Sequence, residues 1–150
     1  MPDRVEFELV TPERLLISEM VEMVVVPGTE GNFGVLPGHA PLISTIRPGM
    51  IQIYEGQTVR RQIFIVSGIA EVTPERCTVL ADEAVSLDTL DRGSIETYLR
   101  DVEGNLPSLR EQVARAADTY RERLLIELHR LEREQAVLHA KLQALGGTTG

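Results

Sequence analysis

The groups able to do chemistry are few: three histidines, one cysteine, a pair of adjacent carboxylates and one glycine-rich segment. His39, His129 and His139 have no cysteine cluster beside them and no His-Glu-x-x-His spacing, so no metal site is expected. Cys77 heads a candidate strand with no histidine in local register, which suits a buried structural thiol better than a nucleophile. Asp82 and Glu83 would point to opposite faces of a strand, the wrong geometry for shared acid–base work. The glycine-rich segment lacks the Gly-Lys-Ser/Thr of a nucleotide P-loop. No catalytic constellation and no cofactor is expected.

That segment, residues 28–49, holds five glycines and three prolines around the apolar pairs Val35-Leu36 and Leu42-Ile43. Glycine serves where the chain needs φ > 0 or a close backbone approach, and proline fixes φ while removing a donor. The spacing predicts a shaped loop between strands, in which Gly31, Gly34 and Gly38 hold the conformation. His39, between Gly38 and Ala40-Pro41, has two readings: it hydrogen-bonds its own loop, or it contacts a partner.

The elements around the loop follow from periodicity. Val5, Phe7 and Leu9 alternate with Arg4, Glu6 and Glu8, predicting a half-buried strand that ends at Thr11-Pro12. Further short strands are expected within residues 15–26, 50–54, 59–66, 69–72 and 78–81, with turns between them, as in a sandwich or barrel. After about residue 88 the period changes. Ile95, Leu99 and Val102 suit one face of a helix over 90–103, stopped by Gly104-Asn105-Leu106-Pro107. Ser108 and Glu111 then form a capping box for a helix over 108–145, about 55 Å long. Gln135 stands where that helix would carry an apolar residue. Ion pairs are expected between Glu111 and Arg115, Arg123 and Glu127, and Arg130 and Glu134. Two domains result, 1–87 and 88–150, with the last four residues disordered.

Across 150 residues the net charge is −8, which argues against nucleic acid as a partner. Residues 1–87 carry 6 basic against 12 acidic side chains, and residues 108–150 carry 7 against 6, so the two parts suit different partners. The single cysteine forbids an internal disulfide, and no run of 18 apolar residues or basic, apolar leader occurs. A protein that is cytoplasmic, or peripheral on the cytoplasmic face of a membrane without inserting in lipid, is expected.

Four blocks stand in order: Gly31-Asn32-Phe33-Gly34-Val35-Leu36-Pro37-Gly38-His39-Ala40-Pro41-Leu42, Ile46-Arg47-Pro48-Gly49-Met50-Ile51, Ser67-Gly68-Ile69-Ala70-Glu71-Val72 and Val79-Leu80-Ala81-Asp82-Glu83-Ala84. Together they resemble the epsilon subunit of bacterial F-type ATP synthases, the homologue of the mitochondrial delta subunit, closely over residues 3 to about 96. Ser67 departs from the glycine common there. The resemblance implies a ten-stranded β-sandwich followed by a C-terminal two-helix hairpin with a long second helix. It implies a non-catalytic rotor subunit of the central stalk that couples a proton-driven ring to the catalytic head.

Further implications concern partners. One end of the sandwich, bearing Thr29, Glu30, Gly31, Asn32 and His39, would rest on the c-subunit ring, and one face would pack on gamma. Asn32 stands where an acidic residue is common, which alters the expected polar contact. The helices are similar to the segment that in some members reaches the alpha/beta head and blocks ATP hydrolysis. Between helices of such unequal length, Leu131, Leu138, Leu142 and Leu145 would overhang as an uncovered stripe flanked by Arg121, Arg123, Arg130 and Arg133. Some members bind ATP through Ile or Leu, Asp, two residues, then Arg-Ala; here Leu90 and Asp91 remain but Ser94-Ile95 replaces Arg-Ala. Asp91 is therefore a remnant, and no nucleotide site is expected. Two other readings remain: a free-standing scaffold that oligomerises through a coiled coil, and an enzyme using a cleft at the sandwich edge.

Overall fold

A computed structural model describes residues 3–147. Ten strands come first: β1 Val5–Val10, β2 Leu15–Val21, β3 Met23–Gly28, β4 Gly31–Val35, β5 Leu42–Ile46, β6 Gly49–Glu55, β7 Thr58–Ile65, β8 Gly68–Val72, β9 Arg76–Ala81 and β10 Ala84–Ser86. A 3-10 turn over Leu87–Thr89 follows, then helices α1, Arg92–Arg115, and α2, Asp118–Gly147. The chain divides between Thr89 and Leu90 into two compact units.

In the first unit the strands pair in the order β10-β7-β6-β3-β5-β8-β9-β1-β2, with β4 added to β3. Laid flat, nine strands would span about 38 Å. Instead, side chains from β1 through β9, among them Phe7, Val26, Ile53, Ala70 and Val79, share one core, so the sheet closes on itself as a sandwich. The alternation in β1 does what its pattern predicts: Val5, Phe7 and Leu9 are wholly buried while Glu6 and Glu8 face outward. Each such side chain contributes about 1.5–3 kcal/mol on burial. β3 is the joint. It pairs with β6 through residues 23–25 and with β5 only at Gly28, and Pro27, which has no N–H to donate, lies where the ladder changes partner. The glycine-rich segment is not loop throughout, because Phe33, Val35 and Ile46 carry enough apolar surface to make β4 and β5.

The second unit corrects the expected helix boundaries. Residues 104–107 do not stop a helix: α1 runs through them with Pro107 inside, and the break falls at residues 116 and 117. Gly and Pro cost about 1 and 3 kcal/mol in a helix interior. Leu106, Leu109 and Val113 continue the buried stripe of Ile95, Leu99 and Val102, and their burial, about 1.5–3 kcal/mol each, outweighs that cost. Gly104, Asn105 and Pro107 all lie on the exposed side. Ser108 is consequently no cap; its hydroxyl accepts from Gln112 Nε2 at 3.3 Å.

Helices of 24 and 30 residues leave no such overhanging stripe. Leu131 and Leu138 are buried, and Leu142 and Leu145 pack on the same core as α1. Tyr120, at the start of α2, is exposed. Gln135 is accounted for, since its Nε2 donates to Glu103 across the hairpin at 3.3 Å. With its leucine stripe used internally, α2 offers no seam for a homotypic coiled coil. Of the last four residues, expected to be disordered, Gly147 ends α2 and 148–150 lie outside the described residues.

Candidate functional site

Residues 29 and 30 turn the chain from β3 into β4, and the turn is fastened from three sides. Gly31 has φ +133°, a conformation L side chains rarely adopt. A Cβ on Gly28 would lie 2.9 Å from the Phe33 ring, so glycine lets that ring close over the backbone. From β5, Thr45 accepts the Thr29 N–H at 3.1 Å, and the two hydroxyls meet at 3.0 Å. Arg47 then spans the turn: Nη1 donates to the Gly28 carbonyl at 3.0 Å, Nη2 to Asn32 Oδ1 at 2.7 Å, and its backbone N–H to Pro27 at 3.0 Å. Thr29, Glu30, Gly31 and Asn32 are all exposed above this frame. Beside them lies a hollow of ≈ 530 Å³ between the turn and residues 42–45. Ile43 on its rim is 74% exposed.

The structure does not bring His39 to this turn. β4 and β5 both run from the turn to the His39 loop, and five residues of strand span about 13 Å. The His39 ring takes the first of its two readings, with Nδ1 2.7 Å from the Ala40 carbonyl. Its loop is tied to the β8–β9 turn through Gly38 N–H to Pro74 at 2.8 Å. Gly38, at φ +83°, is a shaping glycine as expected; Gly34 is not. Gly34 sits within β4, where a Cβ would meet only Met23 Sδ at 3.5 Å, an ordinary contact.

Sequence reasoning missed Arg47 and a second surface. Register aligns Thr45 with Ile69, Ile69 with Leu80, Leu80 with Val10, and Val10 with Leu15, one row across β5, β8, β9, β1 and β2. These strands bury Ala70, Val72, Val79 and Leu9 on the other face, so the row points outward. Leu15, Ile69 and Leu80 are 53, 46 and 52% exposed, an apolar band beside the acidic Glu6, Glu8 and Glu71 of the same face. It begins at Thr45, the residue that holds the turn.

Residues 4–87 match the family described as ATP synthase, Delta/Epsilon chain, beta-sandwich domain. The chain belongs to the ATP synthase delta/epsilon family. The ATP synthase epsilon chain of Rhodospirillum rubrum is 53% identical over 116 residues, 77% of this chain and 87% of its own length. That of Rhodospirillum centenum is 52% identical over 122 residues, 78% and 84% of the two chains. A chain in the mitochondrial ATP synthase of Euglena gracilis (OSCP/F1/c-ring, rotational state 1) superposes with a TM-score of 0.73 over 97% of this chain and 83% of its own. At 22% identity that likeness speaks for the fold alone. This protein is thus an epsilon-type chain of an ATP synthase complex, a non-catalytic subunit.

The epsilon-type helices place the remaining candidates. At 3.6 residues per turn, Arg123, Arg130 and Arg133 fall on the side of α2 away from its leucine stripe, together with Ile126, which is 71% exposed. Arg121 falls nearer the seam. Arg130 is already engaged by Glu127 at 2.6 Å and Glu134 at 3.4 Å, so the expected pair of Arg123 with Glu127 does not form. Hydrogen bonding to Arg130 holds the Glu127 carboxyl below its usual range. Among the described residues, Arg121, Arg123 and Arg133 have no ion-pair partner. Glu111 and Arg115 do pair, at 2.7 Å.

Asp91 is the N-cap of α1: its carboxylate accepts from Ser94 Oγ at 2.6 Å and Ser94 N–H at 3.1 Å, which lowers its pKa. The cap's contribution is present at neutral pH and is lost as pH falls through that lowered value. Arg92 lies 4.0 Å from Glu96, and Ile95 is buried. With the carboxylate committed and no guanidinium at position 94 for bidentate phosphate contact, calorimetric titration with ATP should show no micromolar binding. A micromolar dissociation constant would give Asp91 a second role. Cys77 is buried in the sandwich core, where desolvation pushes its thiol to about 12, a structural group. Asp82 lies beyond the end of β9 and accepts the Ser67 hydroxyl, so it forms no paired-carboxylate site with Glu83.

Proposed function

We propose that this chain is a central-stalk rotor subunit of a proton-translocating F-type ATP synthase, peripheral on the cytoplasmic face of its membrane. The turn of Thr29, Glu30, Gly31 and Asn32 meets the polar loops of the c-subunit ring, and the row of Ile69, Leu80, Val10 and Leu15 packs on gamma. His39, at the far end of β4, stays outside the ring contact. The observation that carries this reading is their connection. Thr45 bonds to the turn and heads the apolar row, and one close-packed core lies behind both. Such interiors have low compressibility and transmit strain, so a force applied at the turn reaches the apolar face with little loss. On α2, Arg123 and Arg133, which have no ion-pair partner among the described residues, suit an acidic surface of the alpha/beta head in a state that restrains ATP hydrolysis, with Arg130 between them held by Glu127 and Glu134.

Two variants separate the surfaces. Replacing Ile69 and Leu80 together by Glu puts charge on exposed positions, so the fold should survive while co-purification with gamma is lost. Gly31→Val strains the turn by about 1–3 kcal/mol; it should weaken binding of the F1 sector to stripped membranes and leave gamma bound. If both variants assemble with both partners at parental affinity, neither surface is an interface and the rotor reading falls.

A further inference from the structure

We infer that Arg47 is the positioning residue of the ring-facing turn, acting through Gly28 and Asn32 without itself touching the ring; the inference rests on the ring contact proposed above. Its guanidinium sits half-buried behind the turn, and its fork is divided between a carbonyl at the end of β3 and a side-chain amide at the start of β4. The backbone N–H of the same residue holds Pro27, the point where β3 changes partner. One residue therefore fixes both feet of the turn and the joint beneath it. Among the described residues no carboxylate pairs with Arg47, so its charge is spent on neutral acceptors. Charge-assisted bonds of this kind are about twice as strong as neutral ones.

Two consequences follow. Asn32 Oδ1 points at Arg47, so the ring can use only its Nδ2 and the neighbouring Glu30 and Thr29. Lysine cannot replace Arg47, because an ammonium is a point charge on a flexible stem and does not span two fixed acceptors on different residues. Without the fork, the Thr29–Thr45 bonds and the β3–β4 ladder remain to hold the turn, and nothing ties Asn32 to Gly28 from behind.

The test uses full-length protein for dynamics and the reconstituted F1 sector for binding. Arg47→Lys should lower backbone order parameters at Glu30 and Asn32, speed exchange of the Thr29 amide, weaken F1 binding to stripped membranes about tenfold, and leave gamma co-purification and the urea midpoint near parental values. Asn32→Asp on the Arg47→Lys background should restore much of the binding by pairing the ammonium with a carboxylate. Unchanged order parameters and exchange overturn the positioning role, whatever the binding. Faster motion with parental ring affinity overturns it too, if Glu30→Ala weakens binding, because the ring then tolerates a loose turn. If Glu30→Ala and Gly31→Val also bind normally, the ring contact itself is wrong and the inference falls with it.

Discussion

Gly68→Ala should lower the urea midpoint far below the parent's. Gly68 opens β8 opposite Ala81 of β9, and a Cβ there would lie 2.2 Å from the Leu80 carbonyl oxygen and 3.0 Å from the Ala81 Cα. Both obstacles are backbone, so no rotamer change relieves them. Its φ of +157° adds strain for any L side chain. Overpacking and backbone strain together cost roughly 2–6 kcal/mol, against a total stability of about 5–15 kcal/mol for an ordinary domain. Parting β8 from β9 would also displace Ile69 and Leu80, so co-purification with gamma should weaken as well. Gly34→Ala is the control: its Cβ has room, and its urea midpoint should stay close to the parent's. A parental midpoint for Gly68→Ala would show that the two strands separate here without loss.

The second large effect comes from where the helical unit is cut. Ending the chain after Thr89 removes α1 and α2 together and leaves every member of the sandwich core, which spans residues 5–81, in place. That protein should fold, assemble with gamma and the ring, and support ATP synthesis, while ATP hydrolysis by the isolated complex rises several-fold. Ending it after Gly104 should behave differently. The α1 stub would keep Ile95, Leu99 and Val102 but lose Leu128, Leu131 and Leu138 against which they pack. A helix that short is marginal alone, so this protein should aggregate or be proteolysed back toward residue 90. Unchanged hydrolysis after removal of residues 90–150 would show that the helices do not restrain the head, and the stalk role of the sandwich would stand without them. A soluble, protease-resistant product ending at Gly104 would show that the first half of α1 is an independent element.

Much of this chain is legible without coordinates. Alternation in residues 5–9 marks an inward and an outward face, and the stripe of Ile95, Leu99 and Val102 marks a helix, because these periods are set by backbone geometry alone. The four blocks that place the chain in its family are likewise read directly. Gly31 and Gly38 announce positive φ where a turn needs it. The helix stop did not hold. Local signals at residues 104–107 are worth a few kcal/mol, and three buried side chains further along α1 outweigh them, a balance visible only once α2 is seen to supply the partners.

The candidate sites divide in the same way. Sequence by itself determined which residues are polar, shaped and clustered near position 30. Tertiary structure alone decided that His39 lies a strand's length from them, and that Arg47 spans their turn. It also decided that Val10, Leu15, Ile69 and Leu80 form one row. Those four are joined by antiparallel pairings of β8 with β9 and of β1 with β2 and a parallel pairing of β1 with β9. Periodicity tells which face a side chain takes and is silent about its neighbour across the sheet, because register is set by the packing of the whole core.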